Sequence, residues 1–135
     1  MKMKKYIVLL LSVFLLQSCY KDIGPIEDVT NEIEGNEVSY SRNIQPIFDQ
    51  NCISCHPNSG NLNLTASNSY NELVNVTASA YQGTLVIPGD SENSILYKKI
   101  DGSNTYGSNM PLGRSLPANQ IAMIKRWIDE GAQNN

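Results

Sequence analysis

Two of the three cysteines and the only histidine of this 135-residue chain lie within five consecutive positions, Cys52-Ile53-Ser54-Cys55-His56. The spacing is C-x-x-C-H, the attachment signature of c-type haem. The chemistry explains the spacing, because two thiols add across the two vinyl groups of the porphyrin while the adjacent imidazole ligates the iron. The motif therefore predicts one covalent haem c, with Cys52, Cys55 and His56 as cofactor-binding residues and His56 as an iron ligand.

Three other kinds of site also use a C-x-x-C pair. A structural zinc site needs four ligands, and the domain supplies no further cysteine or histidine to join these three. A thioredoxin-like redox pair lies at the start of a helix beside a βαβ pattern, whereas this motif follows a helix in a chain without strand–helix alternation. A plain Cys52–Cys55 disulfide is the third alternative.

The iron of such a haem needs a second axial ligand, and the lack of another histidine excludes bis-His ligation within one chain. Methionine, lysine, an N-terminal amine or an open position remain as alternatives. Two methionines follow the N-terminal segment. Met110 lies in a loop and is followed by Pro111, whereas Met123 lies in an apolar helical stripe where packing accounts for it. We therefore predict Met110 as the second iron ligand, ahead of Met123 or an open site.

The N-terminus has the pattern of an export signal. Three lysines precede an apolar run over residues 6–16, which is too short to cross a bilayer as a stable helix. Leu16-Gln17-Ser18-Cys19 resembles the lipobox of bacterial lipoproteins, in which cleavage precedes a cysteine that is then lipidated. We predict a lipoprotein signal peptide over residues 1–18 and a lipid anchor on Cys19. The alternative is that Cys19 merely lies near a conventional cleavage site.

Removal of the signal peptide leaves 7 basic and 13 acidic residues, a balance of −6. Such a charge lacks the basic footprint that binding to nucleic-acid phosphates requires, so nucleic acid is excluded as a partner. The acidic residues concentrate after Cys19, where glycine and proline interrupt any regular pattern. We predict a flexible acidic tether over residues 19–38 and a single domain over residues 39–135, with an acidic docking segment as the alternative for the tether.

Apolar periodicity predicts about four short helices separated by long polar loops. The first covers about residues 41–51, the second about 68–75, and the third follows a cap at Asp90 or Ser91. The last lies between Pro117 and Gly131. The domain has few large apolar side chains for its length, so we expect the haem to fill its centre. The predicted fold class is all-α, a bundle of short helices wrapped around one haem.

Several segments in this order resemble the class I-type cytochrome c domain of the planctomycete cytochrome C kind. They are IQPIF at 44–48, the C-x-x-C-H motif, VIPGD at 86–90, SILY at 94–97, MP at 110–111 and IKRWIDEGA at 124–132. The resemblance implies a cytochrome c fold, His/Met ligation and electron transfer, which fall on Cys52, Cys55, His56 and Met110. The chain departs from the family at Leu112, where a second proline is frequent.

These features predict a membrane-anchored monohaem cytochrome that carries electrons and is not an enzyme. Iron held by two protein ligands changes oxidation state without an easy entry for oxygen or peroxide. The expected partners are redox proteins and a membrane surface, and the expected location is the cell envelope, as a periplasmic or outer-membrane lipoprotein. The alternatives are a haem sensor or peroxidase-like protein with a labile sixth ligand, and a non-haem surface lipoprotein whose Cys52 and Cys55 form a disulfide.

Overall fold

The computed structural model describes residues 37–135. The predicted signal peptide, Cys19 and almost all of the tether therefore lie outside the described residues. Val38, which the sequence placed at the end of the tether, is 4% exposed, and its N–H donates to the Glu130 carboxylate at 2.9 Å. The packed domain therefore includes Val38. Within the described part of the chain, no helix has the length and apolar character needed to cross a bilayer.

The first helix begins as a π-helical turn over Tyr40–Ile44 and continues as helix α1 over Gln45–Asn51. Ser39 fixes its start, because its hydroxyl accepts the Arg42 N–H and its own N–H donates to the Asn43 side chain. Pro46 lies in the first turn of α1, directly after the π-helical turn, and supplies no N–H to the carbonyls of that turn. The predicted helix over 41–51 is confirmed, but its π-helical start was not predicted.

The second helix, α2, covers Ser69–Leu73 and follows a 3₁₀ turn over Ser59–Asn61. It is shorter than the predicted 68–75. The chain becomes extended at Val74, which forms an isolated parallel bridge with Val86. The Val86 N–H donates to the Leu73 carbonyl, so a neighbouring segment occupies the helix end. Pairing between distant segments therefore ends this helix.

The third helix, α3, covers Ile95–Ile100, and its N-cap is Ser94. The prediction that Asp90 or Ser91 caps this helix is wrong. The Asp90 carboxylate accepts the Asn93 N–H, and the Ser94 hydroxyl donates to the Asp90 carbonyl at 2.7 Å. These bonds close a separate turn before the helix, so α3 begins four residues later than a cap at Asp90 would allow.

The fourth helix, α4, covers Ala118–Asp129 and is the longest of the described residues. The sequence pattern suits Pro117 as the first residue of this helix. In the structure Pro117 is the N-cap, and the helix begins one residue later, at Ala118. Gly131 lies just beyond the C-cap with φ of +103°, a conformation that favours glycine, which confirms the predicted helix end. The apolar side of α4 is buried, with Trp127 at 1% exposure.

The core lies where α4 meets the first helix and α2. The Tyr40 ring contacts those of Phe48, Tyr70 and Trp127, with centroid separations of 6.4, 5.2 and 5.2 Å. A buried polar chain crosses this region, because the Tyr40 hydroxyl donates to Ser69 and the Ser69 hydroxyl donates to Gln45, both at 2.6 Å. The described residues form helices and loops without a strand, which agrees with the predicted all-α class.

Candidate functional site

The C-x-x-C-H segment forms one helical turn directly after α1. The Cys52 N–H donates to the Phe48 carbonyl at 2.8 Å, and the Cys52 carbonyl accepts the N–H groups of Cys55 and His56 at 3.1 and 2.9 Å. The His56 to Cys52 bond has the spacing of an α-helical turn, which places these two residues on the same side of the backbone. The sequence prediction that the motif follows a helix is confirmed, and the end of that helix positions the motif.

The His56 ring is held in one orientation by the chain that follows it. Its Nδ1 atom lies 2.8 Å from the Ser59 carbonyl oxygen. A carbonyl oxygen can only accept, so Nδ1 carries a proton, and in the neutral form of the ring Nε2 then holds the lone pair. A ring N–H that donates to a main-chain carbonyl in this way is one of the usual supports of a metal-ligating imidazole. The His56 carbonyl also accepts the Leu64 N–H at 2.7 Å, which fixes the backbone of the same residue.

The two thiols of the motif are both unpaired, and their surroundings differ. Cys52 is half-buried against the core, and burial raises the pKa of its thiol to about 11 against the lowering effect of Arg114. Cys55 is exposed to solvent. One thiol of the pair is therefore part of the protein interior and the other faces outward.

A cavity of about 470 Å³ lies beside the motif and is lined by Cys52, His56 and Met110. Its volume is within the range of sites that hold small ligands and cofactors. Most of its wall is aliphatic. The side chains that form it come from α2 and α3, from the 3₁₀ turn, and from the extended segments between α2 and α3. They include Leu62, Leu73, Val76, Leu85, Leu96 and Ile100.

Met110 lies at the cavity because its main chain is hydrogen-bonded to α3 and the segment after it is hydrogen-bonded to α1. Its N–H donates to the Lys99 carbonyl at 2.6 Å, and the Met110–Pro111 peptide is cis. Beyond Pro111, the Arg114 guanidinium donates to the Asn51 side chain at 3.0 Å, next to the first cysteine of the motif. Of the two methionines in the described part of the chain, Met110 lines the cavity, while Met123 packs against the core away from it.

The donor set of this cavity fits a covalent haem. An imidazole with a free Nε2 and a thioether share an aliphatic cavity, with one thiol in the wall and a second in the same helical turn. A zinc site fits less well. Residues 37–135 contain no group of three or more His, Cys, Asp or Glu side chains arranged to hold a metal ion. Cys19, the predicted lipid anchor, lies outside the described residues and cannot be placed relative to the cavity.

The sequence analysis missed both charged residues of this wall, Glu72 on α2 and Lys99 on α3. Lys99 was the one with a recognisable signal in the sequence. It lies four positions after Ile95 and three after Leu96, which puts it on the apolar side of α3 at helical spacing. A lysine on the apolar face of a short helix was the signal that could have identified it. The opposite charge in the wall, Glu72, accepts the Asn63 N–H.

Comparisons of this chain with known protein families, with curated proteins and with solved structures found no match. The assignment of a function therefore depends on the motif and on the geometry of the cavity.

Proposed function

We propose that residues 39–135 hold one haem c through thioether bonds to Cys52 and Cys55, with His56 and Met110 as axial ligands, and that the protein is an electron carrier. One observation carries this proposal. The only histidine of the chain, the half-buried thiol of its motif and a methionine distant in sequence all line one aliphatic cavity of about 470 Å³.

The residues around the cavity each have a defined role in this proposal. The Ser59 carbonyl holds the proton of His56 on Nδ1, so that Nε2 faces the ligand as a neutral donor. The hydrogen bond between the Met110 N–H and the Lys99 carbonyl holds Met110 at the cavity, where its sulfur would bind the iron. The aliphatic wall excludes water and lowers the local polarity. When bound, the haem supplies an iron that accepts and releases one electron.

A carrier is favoured over an enzyme by the number of protein ligands. With one imidazole and one thioether both supplied by the chain, no axial position is left for oxygen or peroxide. Thioether ligation also raises the reduction potential relative to bis-His sites. The resemblance of the motif-bearing segments to class I-type cytochrome c domains supports the same function.

The N-terminal sequence extends the proposal to the location of the protein. A lipid on Cys19 and an acidic tether would hold the domain at a membrane surface of the cell envelope, where it would meet its redox partner proteins. An exported chain would also be in a compartment where haem c is normally attached.

The carrier function is tested by a redox titration of the purified protein, followed optically, with and without carbon monoxide. We expect a single reversible one-electron transition, and a reduced spectrum that carbon monoxide leaves unchanged because Met110 occupies the sixth position. A reduced spectrum that shifts at once with carbon monoxide would instead favour a sensor or peroxidase-like function.

A further inference from the structure

The loop that carries Met110 has few attachments to the rest of the domain. Residues 102–109 contain no helix or strand, and most of their hydrogen bonds join loop residues to one another or to Asp101. Two attachments reach further among the described residues. The Tyr106 ring packs on Tyr81 with centroids 5.3 Å apart, and Lys99 binds the loop directly.

Lys99 holds this loop with both its main chain and its side chain. Its carbonyl accepts the Met110 N–H at 2.6 Å. Its ammonium group donates to the main-chain carbonyls of Tyr106 at 3.1 Å and Ser108 at 2.7 Å. No carboxylate in the described residues lies within 4.0 Å of this ammonium, so main-chain oxygens are its principal acceptors. Hydrogen bonds from a charged donor are stronger than those between neutral groups.

We propose that Lys99 is a positioning residue that keeps the Met110 sulfur in the cavity and so keeps the sixth iron position closed. The inference depends on the proposed function, because it assigns a role toward the same haem. Its geometric basis is that Lys99, a residue of α3, forms hydrogen bonds both with the loop before Met110 and with the Met110 N–H. Without the ammonium, the loop would keep the Met110 N–H bond but would lose both carbonyl bonds. The Tyr81 ring that packs on Tyr106 would also lose the ammonium that lies 5.4 Å from its centroid.

The neighbouring lysine provides a matched control. Lys98 has the same chemistry in the same turn of α3, but its ammonium binds the carboxylates of Glu92 and Asp101 at 2.5 and 3.3 Å. It does not line the cavity. Lys98→Met therefore removes a cation from α3 and leaves the bonds to Tyr106 and Ser108 intact. Lys99→Met keeps most of the aliphatic length while removing the donors, and Lys99→Arg keeps a charged donor.

The experiment measures imidazole binding to the oxidised holoprotein and hydrogen exchange of the peptide covering residues 102–110. We expect Lys99→Met to raise the apparent imidazole affinity about tenfold, because that affinity scales with the fraction of molecules whose sixth position is open. The same variant should exchange faster in residues 102–110. Lys98→Met and Lys99→Arg should stay close to the parent protein in both measurements.

The experiment separates a failure of the role of Lys99 from a failure of the proposed function. Equal imidazole affinities for Lys99→Met and Lys98→Met, in proteins that carry haem and show a methionine-ligated spectrum, would overturn the role of Lys99 alone. A parent protein without covalent haem would contradict the proposed function itself, and with it the role of Lys99 toward the iron.

Discussion

The Nδ1 atom of His56 lies 2.8 Å from the main-chain carbonyl oxygen of Ser59, within the 3₁₀ turn that follows the C-x-x-C-H motif. This bond places a ring proton on Nδ1, so Nε2 is the atom that would bind the proposed iron. Because the acceptor is main chain, side-chain substitution at Ser59 cannot remove it. The segment after the motif therefore orients the imidazole for the proposed iron.

The two methionines of the domain give the most direct test of the axial ligand. Met110→Ala should abolish the sulfur-to-iron charge-transfer band and lower the reduction potential, because a thioether stabilises ferrous iron. Met123→Leu is the control, since it keeps the packing volume on α4 and should cost less than about 1.5 kcal/mol of stability. Optical spectra and potentiometry of both variants check this. A band that survives in Met110→Ala and disappears in Met123→Leu would transfer the role to Met123.

The different surroundings of the two thiols predict different reactivity in protein prepared without haem. The pKa of the Cys52 thiol is raised to about 11 by burial, and the thiolate is the nucleophile. Below pH 11 the Cys52 thiolate fraction should therefore rise about tenfold for each pH unit. Alkylation followed by mass spectrometry should modify Cys52 far more slowly than exposed Cys55 at pH 8. Equal rates for Cys55→Ala and Cys52→Ala, each reporting on its remaining thiol, would contradict the burial of Cys52.

The buried polar chain in the core is expected to stabilise the domain without affecting the haem. Ser69→Ala removes the donor to Gln45 and the acceptor of Tyr40, and unsatisfied buried polar groups cost about 1–3 kcal/mol. Ser67→Ala is the control, because Ser67 is exposed and its change should stay within about 0.5 kcal/mol. Denaturant unfolding measures both values. Equal stabilities of the two variants, or a changed haem spectrum in Ser69→Ala, would show that this account of the chain is wrong.

The predicted lipid anchor has a simple cellular test. Cys19→Ala should move the protein from the membrane fraction to the soluble envelope fraction, because the acyl chains are the only membrane attachment proposed. Fractionation with a haem stain measures this, and Met123→Leu serves as a variant that should remain anchored. Continued sedimentation of Cys19→Ala with membranes would refute lipidation as the means of attachment.

Local sequence patterns predicted the elements whose determinants are local. The apolar spacing around Pro46 predicted the first helix, and Gly131 predicted the end of α4. The C-x-x-C-H spacing predicted the two thiols and the imidazole as one unit, and the structure places that unit on a single turn.

Features that depend on distant segments were not predictable in the same way. The end of α2 depends on the pairing of Val74 with Val86. The late start of α3 has a local cause instead, the bond from the Ser94 hydroxyl to the Asp90 carbonyl, which the capping pattern at 90 and 91 did not reveal. Lys99 was missed because its acceptors, the carbonyls of Tyr106 and Ser108, become neighbours only when the loop folds back onto α3. The small number of methionines and the loop context before Pro111 identified Met110 as a candidate ligand, but the sequence could not place it in the cavity.

The central claim is that Cys52 and Cys55 bind a haem covalently in the cavity shared with His56 and Met110. The most direct measurement is a haem stain of the denatured chain with a reduced pyridine spectrum, after export in a host that attaches haem. The account predicts one haem per chain that remains after denaturation, with the spectrum of two saturated vinyl groups and no haem in the Cys52→Ala, Cys55→Ala double variant. A colourless chain in which both thiols alkylate freely would contradict it.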